Sequence, residues 1–293
     1  MIRPVALACI LLLPFAASDA ANKPRRPARQ IPQELVDRQP ALIDETVARI
    51  AVHSQAGAQV YFLGFAGYGD ERVFAEEMAL AAERVADRYG AAQRSLRLVN
   101  DHRDAEKHPF ATVASLKYAL AALGRVMDSD DVLFLALASH GSHDATISIA
   151  NPGIRSDDLS ARQLADALEH SGIRWRVIVI SACYSGSFMQ ALADDRTLVI
   201  TAAAWNKPSF GCSDDRHLSY FGEAFYRDAL PAARDLREAF EVTRREITRR
   251  EEAEKRVPSE PQAHFGSQIE PHLAGLEPVY RPVNQTERTT QGR

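Results

Sequence analysis

Apolar runs of a few residues alternate with longer amphipathic stretches along most of this chain. The run at 95–100 reads as a short strand, and those at 59–65, 131–138, 176–181 and 197–202 are rich in Val, Ile, Leu and Phe and carry almost no polar alternation. Such runs read as strands covered on both faces, the signature of a parallel sheet. Between them, 41–53, 71–89, 112–127 and 160–170 place apolar residues at helical spacing. Gly90 and Gly172 stand where helices would stop, and Ser160 where one would start. Strand–helix–strand repetition predicts a parallel sheet with right-handed crossovers. The segment 146–150 alternates and predicts a small edge hairpin. Further on, 205–217 reads as a polar loop, 220–228 as a helix, and 236–256 as a charged helix with a solvated face.

The two ends differ from this pattern. Residues 1–20 have basic Arg3, an apolar stretch over 5–17 and the small residues Ser18-Asp19-Ala20. That order predicts a secretory signal cleaved after Ala20, too short in its apolar part to be an ordinary spanning helix. The protein is therefore expected to be exported, periplasmic or secreted, with no stable membrane span once the signal is removed. Residues 21–40 hold Pro24, Pro27, Pro32 and Pro40 among Lys23, Arg25, Arg26 and Arg29, and are expected to be an extended lead-in. Residues 257–293 carry repeated prolines among polar residues and are expected to be an irregular tail. One folded domain over 41–256 remains, within a chain of 293 residues. Its net charge of −4 gives no reason to expect a nucleic-acid partner.

Two of the strands end in reactive side chains. The run at 176–181 breaks into Ser181-Ala182-Cys183-Tyr184-Ser185-Gly186-Ser187, ahead of an expected helix at 188–192. A thiol between a strand end and a helix start lies where open α/β sheets bind ligands, and the helix N-terminus is expected to favour its thiolate. The run at 131–138 is followed by Ser139-His140-Gly141-Ser142. Two parallel strands ending at one rim would bring His140 to Cys183, as base toward the thiol and acid toward a leaving amine. Backbone N–H groups of Gly141 and Cys183 are candidate donors to an oxyanion. Asp144 is a weaker candidate for orienting the histidine. With the signal removed, Cys183 and Cys212 are the remaining cysteines, and in an exported protein a disulfide between them is the competing reading, one that would block the nucleophile. His140, His143 and Asp144 form only a fragment of a metal site, so neither metal nor other cofactor is expected.

Ser139-His140-Gly141-Ser142, followed 43 positions after His140 by Cys183 within Ser-Ala-Cys-Tyr-Ser-Gly-Ser, resembles the legumain-like cysteine peptidases, peptidase family C13 of the caspase-like clan CD. The resemblance spans roughly residues 58–230. It implies a caspase-like three-layer α/β sandwich with a mostly parallel central sheet and helices on both faces. It also implies an endopeptidase that cleaves peptides or proteins after Asn or Asp, and the same oxyanion pair. Arg72 falls where the family carries a basic specificity residue, and an arginine can bond such a side chain bidentately. Ser209, Glu223 and Asp70 fall at further pocket positions. Transpeptidation by the same chemistry, or a silent binding module that kept the fold, are the alternatives. The segment after the catalytic domain is too short and irregular to be the helical prodomain of legumains, so acid-triggered release is not carried over.

Overall fold

The computed structural model describes residues 31–276, apart from 53–56, 102–106, 152, 155 and 214. The expected signal, most of the lead-in and the chain's last residues lie outside the described residues.

A short helix α1 (Gln33–Asp37) leads into α2 (Gln39–Val52), so the lead-in is already helical before residue 41. Strand β1 (Val60–Ala66), helix α3 (Arg72–Tyr89), strand β2 (Ser95–Val99), helix α4 (Val113–Gly124) and strand β3 (Val132–Ala138) follow in the expected alternation. Gly90 ends α3 with φ +66°, a left-handed conformation that a glycine adopts without penalty. After β3 comes a small antiparallel sheet of β4 (Gly141–Ser142), β5 (Thr146–Ile147) and β6 (Leu159–Ser160). It takes the place of the simple hairpin expected at 146–150. Helix α5 (Ala161–Ser171) opens with a full capping box between Ser160 and Gln163 and closes on Gly172. Strand β7 (Trp175–Ser181), a tight 3₁₀ turn (Ser185–Phe188), helix α6 (Met189–Leu192) and strand β8 (Thr197–Thr201) complete the parallel set.

The main sheet has the order β2-β1-β3-β7-β8, all parallel, closed by an antiparallel edge strand β9 (Gln262–Phe265) on β8. The central strands β1 and β3 are apolar and buried along their whole length because both faces are covered. Val60, Phe62, Phe134, Val177 and Val179 point into a core with α3 and with α8 (Leu236–Ala253), which follows α7 (Tyr220–Gly222) and one π-helical segment (Glu223–Ala229). Tyr61, Leu63, Phe65, Leu133, Leu135 and Ile178 point into the opposite core with α2, α4 and α5. The result is the three-layer α/β sandwich.

A further expectation is corrected here. Residues 257–276 are not an irregular tail: β9 pairs with β8, and α9 (Ile269–Ala274) buries Ile269 and Leu273 in the core. Pro258 and Pro261 lie in the connection ahead of β9, and Pro271 sits in the first turn of α9, where a proline costs no helical bond. Helix α8 has the solvated face expected of it, and on the opposite side Leu236, Ala239, Phe240 and Ile247 are buried along one stripe.

Candidate active site

Strands β3 and β7 are paired in parallel, with Ala138 level with Ser181 and the N–H of Ser139 donating to the Ser181 carbonyl at 3.3 Å. Each chain runs two residues further along the same rim, to His140 and to Cys183. The turns then touch: a Cβ added to Gly141 would overlap the carbonyl oxygen of Cys183. Only glycine lets these backbones meet so closely. The His140 turn is also anchored from behind, where the N–H of Ser148 donates to the His140 carbonyl at 2.9 Å.

Around Cys183 the chain is tightly wound. Tyr184 takes the left-handed conformation (φ 57°, ψ 16°), uncommon for a bulky side chain and of a kind that concentrates at functional sites. Its N–H donates to the Lys207 carbonyl at 2.8 Å, and that of Gly186 to the Ala203 carbonyl at 2.9 Å. These bonds tie the cysteine turn to the loop after β8. The same loop brackets the thiol: the N–H of Ser209 donates to Sγ at 3.2 Å, and Sγ faces the Ser209 carbonyl at 3.4 Å. Burial pushes the Cys183 thiol above its ordinary pKa, with the Ser209 N–H pulling the other way. The expected thiolate-favouring helix is not there in force, because a 3₁₀ turn and a four-residue helix α6 give little aligned dipole.

His140 is half-buried. Its ring meets Tyr68 edge-on at 4.6 Å and Phe74 edge-on at 5.1 Å between centroids. Its Nε2 lies 2.9 Å from Oε2 of Glu71. The sequence reading passed over Glu71, although its place in the turn after β1, at the same rim, was a usable signal. Asp144, the weaker orienting candidate, is exposed in the turn between β4 and β5. His143 is exposed, with its ring 3.7 Å from that of Tyr184.

The expected pocket residues are placed less uniformly. Arg72 opens α3 at the same rim, exposed, with Nε 3.3 Å from Glu76. Asp70 is exposed in the preceding turn. Ser209 reaches the thiol through its backbone. Glu223 begins the π-helical segment and is occupied by arginines: Arg216 and Arg250 each approach at 2.6 Å, and Arg227 also bonds to it. Burial works against its charge, but the bonds from Arg250 and Arg227 hold its carboxyl below the usual range. Cys183 and Cys212 are both free thiols, so the disulfide reading is overturned. Cys212 is instead packed against the core beside α3, where burial pushes its thiol far up. Among the described residues no three His, Cys, Asp or Glu side chains gather as a metal cage, and no helix is long and apolar enough to cross a membrane.

A mostly parallel sheet flanked by helices, with a cysteine and a histidine on adjacent strand ends, defines a cysteine-type peptidase of caspase-like fold. A sequence model of the peptidase C13 family matches residues 101–270, and the chain belongs to that family. Among solved structures it is similar to caspase-1 from Spodoptera frugiperda, with a TM-score of 0.50 and 11% identity, over 71% of this chain and 87% of that one. At that identity the likeness speaks for the fold. No curated protein matches the sequence.

Proposed function

We propose that this hydrolase uses Cys183 as nucleophile and His140 as its acid–base partner to cut peptide bonds after Asn or Asp. The contact of Gly141 with the Cys183 carbonyl carries the reading, since it makes the two turns one site. His140 takes the thiol proton as Sγ attacks the substrate carbonyl carbon. The tetrahedral oxyanion is met by the N–H groups of Gly141 and Cys183. As the C–N bond breaks, the imidazolium returns the proton to the departing amine, leaving a thioester. Water, deprotonated by His140, then hydrolyses that thioester and restores the thiol.

A thiol held protonated by burial suits this order, because the proton leaves only when substrate is in place. Arg72 supports the specificity: it stands at the rim, and its partner Glu76 is a carboxylate that a substrate Asp or Asn would replace. The signal pattern at 1–20 supports export.

A peptide-library digest with the wild type beside Cys183→Ala and His140→Ala tests the reading. The wild type cuts after Asn or Asp and both variants are inactive. The same products from Cys183→Ala would refute the mechanism. Cleavage unrelated to Asn or Asp would refute the specificity alone. N-terminal sequencing of the exported protein, expected to begin at Ala21, tests the signal.

A further inference from the structure

We propose that Glu71 is the positioning residue of this active site: its carboxylate holds His140 Nε2, so that Nδ1 is the nitrogen that exchanges the proton with Cys183. The inference rests on the Cys183–His140 mechanism proposed above and adds a third member to it.

The argument begins with the local chain. Glu71 is the last residue before α3, in extended conformation (φ −122°, ψ 123°), at the position where Ser, Thr or Asp would cap the helix. Its side chain makes no cap bond to that helix. The carboxylate is turned instead toward the rim, with Oε2 2.9 Å from His140 Nε2. It remains at the N-terminus of an eighteen-residue helix, whose dipole favours its anionic form.

One short connection thus supplies three of the side chains around the ring. Tyr68 and Phe74 meet it edge-on at 4.6 and 5.1 Å, and Glu71 lies between them in sequence with its Oε2 2.9 Å from one nitrogen. An imidazole has two nitrogens, and the hydrogen bond made by one sets the protonation of the other. With a carboxylate at Nε2, the neutral ring carries its proton there and presents the lone pair of Nδ1. The same carboxylate stabilises the imidazolium formed when the thiol proton arrives, the role an acid plays behind a catalytic histidine. Glu71 does not touch the reacting atoms and is not itself protonated in the cycle.

The test compares Glu71→Ala and Glu71→Gln with His140→Ala and Cys183→Ala. Glu71→Ala lowers kcat by about 100-fold while KM changes by less than about threefold, the pattern of a group that acts in the transition state. Glu71→Gln keeps an oxygen acceptor for Nε2–H but no charge, and recovers part of kcat. Nitrogen-15 spectra of His140, recorded on Cys183→Ala so that no turnover occurs, show the Nε2–H form as the main neutral tautomer. Adding Glu71→Ala shifts that population toward Nδ1–H.

If His140→Ala is inactive but Glu71→Ala keeps more than half of kcat, the positioning role is wrong and the dyad stands. A fall in kcat with unchanged His140 nitrogen shifts marks a merely structural effect and also overturns it. If His140→Ala retains full activity, the dyad itself is wrong and the role of Glu71 falls with it. Thermal melts verify folding, and if Glu71→Ala does not fold, the near-isosteric Glu71→Gln decides by the same two readouts.

Discussion

Gly141 and Cys183 are in backbone contact, with no room at position 141 for even one methyl group against the Cys183 carbonyl. The contact joins the ends of two strands into one site. Gly141→Ala must push the turns apart, and overpacking of this kind costs about 1–3 kcal/mol. We expect a lower melting temperature and a fall in kcat/KM of about 100-fold, the scale of losing one oxyanion donor. Gly90→Ala is the control: position 90 has open space but φ +66°, so it should lose about 1 kcal/mol of stability and no activity.

Burial raises the Cys183 thiol above its ordinary pKa of 9.0. In the free enzyme, alkylation by iodoacetamide should therefore still be accelerating at pH 9. A labelling rate that levels off below pH 7 would mean a resting thiolate and would contradict the buried, protonated thiol.

Glu77 lies fully buried behind the site, where its Oε2 accepts from the hydroxyl of Ser219 at 2.6 Å, and that hydroxyl lies 3.1 Å from Ser181 Oγ at the end of β7. Burial raises its pKa above the usual 4.5 against the bonds from Ser219 and Ser181. The native state thus keeps a proton that the unfolded chain releases near pH 4.5, so this group makes stability fall as pH rises from there toward its folded pKa. Glu77→Gln keeps an acceptor for Ser219 and cannot ionise. The difference in melting temperature, variant minus wild type, should grow from pH 4.5 upward, and a flat difference would show that Glu77 is ionised in the fold.

Glu223 is held by Arg216, Arg227 and Arg250, with the Arg250 guanidinium also stacked over Tyr220 at 3.5 Å. Removing its charge should cost about 2 kcal/mol, the scale of hydrogen bonds to charged groups. Glu223→Gln should lower the melting temperature while KM for an Asn peptide is unchanged. A selective rise in KM would return Glu223 to the substrate pocket where the family resemblance put it.

Ending the chain after Arg256 removes β9 and α9, with the buried Ile269 and Leu273. It also removes the Ser259 N–H that donates to Glu251 at 3.0 Å. Burying two such side chains is worth about 1.5–3 kcal/mol each, and the total approaches the net stability of a typical domain. The bared edge of β8 would also invite association. We expect no cooperative melt and heavy aggregation by sedimentation, whereas a soluble, cooperative fragment would restore a domain boundary at 256.

What the linear chain determined was local. The apolar runs ending in His140 and Cys183 announced parallel strands buried on both faces, because a strand covered twice has no polar side to show. The glycine stops and the Ser160 cap were equally visible, since helix ends are satisfied by nearby residues. Tertiary structure decided whatever depends on residues distant in sequence. The edge strand β9 is only four residues long, too short for its Gln-Ala-His-Phe alternation to announce it, so pairing with β8 makes it a strand. Glu71 looked like the start of a helix until folding brought β3 beside β1 and set its carboxylate at His140. Glu223 matched a pocket position by family alignment, yet Arg250, 27 residues further on, claims its charge. Hydrophobic periodicity is written along the chain, whereas the partner of a charge is fixed by distances across the fold.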